Sequence, residues 1–346
     1  MLTVIQPPIS WAPLAWIVLV PFILACSPVA KTKHLALIAY LVSLCYWLGN
    51  LYWVYPVTLP GWLAFCFYMA LLWPILAVAL RYCREKKIPL FLAVPVLFVG
   101  AERLQGLFLG GFFWRFLAHS QYQNITLIQI ADIFGAAGVS FLIAMVNGLI
   151  AELIIAAGGK NLFKISNLLK TALVCGAVIA AVIYGRWRIN QSDKFVEAGP
   201  LVAAVQSNVP QSVKESGQAD SVIFDGLLQD SYASARAGAE LIVWPETMAQ
   251  AILDRGVWPF LVSSETEKKF DKALSEHSKN TAYVLVGAPG GQIRRRNDDL
   301  SIYLARYNSA FLYKPDGKQA KEKYNKIHLV PFGEVVPFKK KIGRAH

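Results

Sequence analysis

Residues 241–247 read LIVWPET and residues 324–337 read YNKIHLVPFGEVVP. The first stretch is an apolar strand closed by Pro245, with Glu246 immediately beyond it. Pro245 cannot donate to a sheet, so Glu246 is expected on a fixed turn at a strand's carboxyl end. Open α/β sheets gather their active sites at that edge. The second stretch sets Lys326 and His328 in alternation before the apolar run LVPFG, which is expected to bury its neighbours.

Working outward, the flanking segments repeat the strand–helix alternation. LVAAVQSN (201–208) is a buried-strand run, and residues 219–237 have helical amphipathic spacing. Residues 264–279 form a second helical stretch. AYVLVGAP (282–289) is a strand that the following glycines are expected to end. SIYLARYNSAFLYKPDGK (301–318) gives one or two strands ending in a PDG turn. Strands alternating with helices predict an α/β layer fold for this part.

The rest of the chain belongs to a different solvent. Over all 346 residues 55% are hydrophobic and 16% charged, against about 25% charged in soluble domains. The shortfall is concentrated in residues 11–185, which are nearly continuous apolar runs. A membrane span needs about 20 apolar residues. On that length the runs at 11–26, 34–54, 61–81, 88–108, 125–157 and 168–185 predict about six spans. The predicted organisation is a transmembrane helical domain over 1–188 and an α/β domain over 199–346. Tyrosines and tryptophans near 47–62 resemble an interfacial belt.

Basic residues in short loops set the orientation. Lys31 and Lys33, then Arg81, Arg84, Lys86 and Lys87, then Lys160, Lys164 and Lys170 fall in alternate loops. They are expected on the cytoplasmic side, which puts the domain after residue 199 outside. Arg186 and Arg188 weigh the other way, but three loops outweigh one flank. The net charge of +12 reads as membrane flanks facing anionic lipid. No nucleic-acid motif accompanies it, so nucleic acid is excluded as a partner. The five cysteines (26, 45, 66, 83, 175) all lie in or beside apolar segments, with neither metal nor disulfide spacing. No cofactor or metal is called for.

Three residues in the two opening stretches carry candidate chemistry. Glu246, if desolvated at the sheet edge, has a raised pKa and can act as a general base. The alternative is a capping or salt-bridging carboxylate. Lys326 can stabilise a developing oxyanion, or be one more lysine of a basic run. Glu334, after Gly333, can orient the lysine or a nucleophile, or simply pair with Lys326 or His328. His328 has no Ser or Cys partner and reads as a structural histidine.

LIVWPET and YNKIHLVPFGEVVPF resemble the nitrilase, or carbon–nitrogen hydrolase, superfamily. Within it the chain is similar to the membrane-bound apolipoprotein N-acyltransferase family. Three further segments carry the narrower resemblance: AERLQGLFLGGFFW (101–114), QIADIFGAAGVSFLI (129–143) and VQSNVPQSVK (205–214). The first of these resembles the family's Glu-x-Leu-Arg-Gly and Gly-Phe-Pro-Trp loop, here with Phe113 in place of proline. The resemblance implies an αββα sandwich, present here in incomplete form, after the membrane helices.

It also implies a mechanism. Glu246 would be the general base, Lys326 would stabilise the tetrahedral intermediate, and Glu334 would be a further active-site carboxylate. A Cys some 50 residues after the lysine motif would attack, but no cysteine follows Cys175. A phospholipid would donate the acyl chain and a diacylated apolipoprotein would accept it, in a bacterial inner membrane, with a monomeric enzyme facing the periplasm. The missing Cys, the opening MLTVIQPPISW and the tail KKKIGRAH lead to the expectation of a truncated, inactive chain. A membrane-tethered amidase of the same superfamily and a non-catalytic scaffold are the competing readings.

Overall fold

The computed structural model describes residues 1–107, 111–159, 161–209, 220–295 and 302–330. The chain divides into two compact units, one within Met1–Val196 and one within Glu197–Val336.

The first unit is helical. Its helices are α1 (Val20–Ala25), α2 (Thr32–Asn50), α3 (Leu59–Ala70), α4 (Leu72–Glu85), α5 (Leu90–Leu107), α6 (Ile125–Ile128), α7 (Ala131–Gly158) and α8 (Ile165–Ile189). Among the described residues four helical runs are long and apolar enough to cross a membrane: Leu59–Glu85, Leu90–Leu107, Ala131–Gly158 and Ile165–Lys194. Helix α2 has the length, but Lys33, His34 and Asn50 at its ends dilute its hydropathy. The overlong fifth run divides into α6 and α7, and α7 bends at Gly135, whose φ of +62° only glycine adopts without strain.

The run expected to span at 11–26 is instead broken into a 3-10 turn, Ala12–Trp16, and the six-residue α1. The cause is Pro13 and Pro21, which take the first positions of new helical segments and cannot sit inside one. A broken helix leaves backbone groups that an apolar medium cannot satisfy. Asn147 of α7, fully buried, meets this need. Its Oδ1 accepts from the Leu19 amide (2.9 Å) and its Nδ2 donates to the Ala15 carbonyl (2.9 Å). Three carboxylates in the helices are likewise paired. Glu152 takes Lys170 and the Leu90 amide, Asp132 takes Arg188, and Glu102 accepts from the Leu117 amide (2.7 Å).

The second unit is built on a five-stranded sheet in the order β1 (Val202–Ala204), β2 (Leu241–Val243), β3 (Tyr283–Arg295), β4 (Ile302–Tyr313), β5 (Tyr324–Asn325). The first three strands are parallel; β3, β4 and β5 are antiparallel. Helices α9 (Asp220–Arg236) and α10 (Glu265–Asn280) occupy the crossovers. Alternation sends Ile242, Val284, Val286, Phe311 and Tyr313 into one core with Phe224 and Leu227 of α9 and Phe270 and Leu274 of α10. Phe224 stacks on Phe270 with ring centroids 3.9 Å apart. Trp244, which continues β2, packs edge-on to Phe224, and its Nε1 donates to Ser231 Oγ (2.6 Å). The opposite face, with Leu241, Val243, Leu285 and Leu312, is only half-buried.

One strand runs further than expected. Pro289, Gly290 and Gly291 do not end β3, which continues to Arg295 with Pro289 opposite Asn308. Asp254 holds this stretch in the sheet by accepting from the Gly291 amide (2.6 Å), while Lys323 pairs with the same carboxylate.

Two outcomes follow from these interiors. Replacing Asn147 with Leu leaves the Leu19 amide and the Ala15 carbonyl buried without partners, at about 2–4 kcal/mol. A lowered thermal midpoint in detergent checks it. His277 on α10 is fully buried against Tyr232, and among the described residues neither ring nitrogen has a hydrogen-bond partner. Burial therefore pushes its pKa down to about 4 from 6.5. The unfolded chain takes up a proton there before the folded one does. This contribution to stability is thus intact above pH 6.5 and lost as the pH falls toward 4. Melting the protein across that window should show a decline of roughly 1–3 kcal/mol that His277→Leu removes.

Candidate active site

Past Trp244 the chain leaves the sheet. The Trp244 amide still bonds to the Leu285 carbonyl (2.9 Å), but Pro245 has no amide to continue the ladder. Glu246 follows, and then Thr247 at φ +51°. A β-branched residue in the left-handed region is strained, and such strain persists only where surrounding contacts over-determine it. Here the contacts come from Gly287 of β3. Its carbonyl accepts from the Met248 amide (3.1 Å) and the Ala249 amide (3.3 Å). Position 287 must be glycine for this approach. A Cβ there would stand 2.4 Å from the Pro245 carbonyl oxygen and 2.8 Å from Glu246 Cα.

Lys326 arrives from the other side of the sheet order. Strand β5 pairs with β4 at Ser309–Asn325 and Ala310–Tyr324. Ser309 Oγ donates to Asn325 Oδ1 (2.7 Å), which fixes the register beside the lysine. The Lys326 amide donates to the Asn308 carbonyl (2.8 Å). From that anchorage Lys326 Nζ reaches Glu246 Oε1 at 2.9 Å, joining residues 80 positions apart. Asn308 Nδ2 donates to the same Oε1. Among the described residues no hydrogen bond or ion pair reaches Glu246 Oε2.

The pair differs from expectation in its surroundings. The Glu246 side chain is 58% exposed and that of Lys326 26%, so the carboxylate is not the desolvated group the sequence predicts. The reason is the turn itself, which lifts Glu246 out of the sheet just where the helical cover ends at Trp244. Of the run after Lys326, the described residues Ile327, Leu329 and Val330 are exposed, and residues 331–333 lie outside the described residues. Lys326 itself is half-buried, with its amide against β4 and its ammonium against the partner carboxylate. His328 is exposed as well. Glu334, with residues 210–214 of the VQSNVPQSVK segment, lies outside the described residues.

Sequence reasoning found both members of the ion pair and missed Asn308 and Gly287. Asn308 left a signal, because asparagine is depleted from strand interiors and here sits in the middle of an otherwise strand-like YNSAF. Among the described residues no three His, Cys, Asp or Glu side chains converge as a metal site. The five cysteines all lie in the helical unit. Chemically the arrangement offers a carboxylate with one oxygen held by two donors and one clear, beside an ammonium. That combination can accept a proton and stabilise a nearby developing anion.

Comparison with known proteins addresses both units. Residues 1–149 match the apolipoprotein N-acyltransferase N-terminal domain, and residues 201–342 match the carbon–nitrogen hydrolase domain. The chain is 32% identical to an apolipoprotein N-acyltransferase of Geobacter metallireducens, over 95% of this chain and 61% of the relative. Proteins of the same name from Rhodopirellula baltica and Brucella suis are each 28% identical, over 96% and 90% of this chain and 65% and 56% of their own lengths. The chain thus spans about three fifths of the length of these curated relatives.

The clamp at Gly287 gives this subsection its prediction. Gly287→Ala forces the 245–249 turn away from β3 and separates Glu246 from Lys326. The expected loss is about 1–3 kcal/mol of stability in the sheet unit, read from denaturant unfolding.

Proposed function

We propose that this chain, whose two parts match the apolipoprotein N-acyltransferase N-terminal domain and the carbon–nitrogen hydrolase domain, is the acyl-transfer machinery of lipoprotein maturation. The reaction moves a fatty acyl chain from a phospholipid to the N-terminal amine of an S-diacylglyceryl-cysteine apolipoprotein. The observation that carries this reading is the Glu246–Lys326 pair, assembled at the carboxyl end of β2 with a 2.9 Å contact.

In this reading Glu246 is the general base and Lys326 the oxyanion stabiliser, with Glu334 as a supporting carboxylate. A thiol attacks the phospholipid ester carbonyl while Glu246 takes its proton through the clear Oε2. Lys326 faces the oxygen that becomes negative. Collapse forms a thioester and expels the lysophospholipid alkoxide, which takes the proton back. The apolipoprotein amine then attacks the thioester, gives its proton to Glu246, and the thiol is regenerated. Residues 197–346 contain no cysteine, so this reading assigns the attacking thiol to none of them.

The helical unit serves as more than an anchor in this proposal, because both substrates are lipidated and must enter from the bilayer plane. The alternation of basic loops supports a periplasmic sheet unit in this reading, which takes the enzyme to be a monomer.

The test supplies this chain with the C-terminal part of the Geobacter metallireducens relative and measures acyl transfer from labelled phospholipid to a diacylated lipopeptide in proteoliposomes. Transfer is expected. Glu246→Gln and Lys326→Ala should each lower it by about a hundredfold or more. Transfer that survives both substitutions would overturn the assignment and favour a non-catalytic membrane scaffold.

A further inference from the structure

We propose that Asn308 is a positioning residue that fixes Glu246 as a one-sided base. The inference rests on the catalytic reading of Glu246 given above and adds a residue to it.

A carboxylate that serves as a base needs one oxygen held and the other presented to the incoming proton. Both described donors to Glu246 land on Oε1, one from Lys326 Nζ and one from Asn308 Nδ2. The two are not equivalent. Lysine carries its ammonium on a flexible four-carbon stem, so by itself it holds a charge nearby without fixing an orientation. Asparagine has a short side chain, and Asn308 sits in the β3–β4 ladder opposite Pro289. Its amide nitrogen can only donate to a carboxylate, so it holds the oxygen without adding a charge.

Asn308 also acts on the lysine. Its carbonyl accepts the Lys326 amide at 2.8 Å, so the same residue sets where the ammonium stem begins. Its neighbour Ser309 locks the adjoining pair through Asn325 (2.7 Å). One strand residue therefore orients the base through its side chain and places the cation through its backbone. A spacer role would need only the volume at position 308, whereas this role needs the N–H donor.

Asn308→Asp separates the two, because it keeps the shape, removes the donor and adds a second carboxylate. The measurement is infrared spectroscopy of the full chain in detergent with isotope-labelled glutamate, subtracting Glu246→Gln to isolate the Glu246 carboxylate band. Asn308→Ala should shift that band, as Lys326→Ala does. Asn308→Asp should bring up a protonated carboxyl band at neutral pH, since two carboxylates at that separation do not both stay ionised. In the acyl-transfer assay both variants should lower kcat about tenfold to a hundredfold with little change in the donor KM.

A Glu246 band unmoved in Asn308→Ala, together with two ionised carboxylates in Asn308→Asp, would overturn the inference while leaving the acyl-transfer reading intact. Undiminished transfer in Glu246→Gln would instead overturn that reading, with the infrared result still deciding whether Asn308 holds the carboxylate.

Discussion

The antiparallel ladder between β3 and β4 is the interaction on which the sheet unit depends. It runs from Val284–Tyr313 to Arg295–Ile302 and is far longer than the three-residue pairings of β1 and β2. Its inner face supplies Val284, Val286, Phe311 and Tyr313 to the core under the helices. Its middle supplies the site. Gly287 clamps the turn that carries Glu246, and Asn308, two pairs further along on β4, meets both the carboxylate and Lys326. The two-residue β5 would be too short to hold Lys326 in place unaided; it does so because it is registered against this ladder.

In the helical unit the governing constraint is that a backbone polar group without a partner is costly in an apolar medium. Proline breaks the first apolar run, and the unit answers with an asparagine from a distant helix. Asn147 bridges 128 positions to Leu19 and 132 to Ala15. Glu102, Asp132 and Glu152 within the helices obey the same rule, each meeting an opposite charge or a backbone amide.

What the sequence disclosed follows from which features are local. Helices at 219–237 and 264–279 are periodic, and the structure has them at Asp220–Arg236 and Glu265–Asn280. The strand ending at Pro245 and the candidate pair Glu246 and Lys326 were legible because each sits in a short run of distinctive composition. Asn308, Gly287 and Asn147 were not, because their roles are contacts across 20 to 130 positions that no local window contains. The same limit explains the error at Pro289–Gly291. A proline and two glycines read locally as a stop, but a full-length partner strand and the Asp254 carboxylate outweigh that local preference. Burial of the residues around Lys326 was misjudged for a related reason, since apolar composition does not show which face of a chain is covered.

The energetics of the candidate site argue that it is not kept for stability. An ion pair with one partner 58% exposed contributes about 0–1 kcal/mol. Holding Thr247 at φ +51° costs about 1–3 kcal/mol, and an asparagine in a strand interior costs up to about 1 kcal/mol more. A glycine at 287 adds the loss of a strand side chain that could have packed. These costs exceed what the pair contributes to folding, and all of them act on one outcome, the position and orientation of a single carboxylate. A surface ion pair of merely structural origin would form between two long side chains on ordinary backbone, with no strained residue beside it and no second donor on the same oxygen. The concentration of strain, close backbone approach and shared donors around Glu246 is what a chemical role requires and a stabilising role does not.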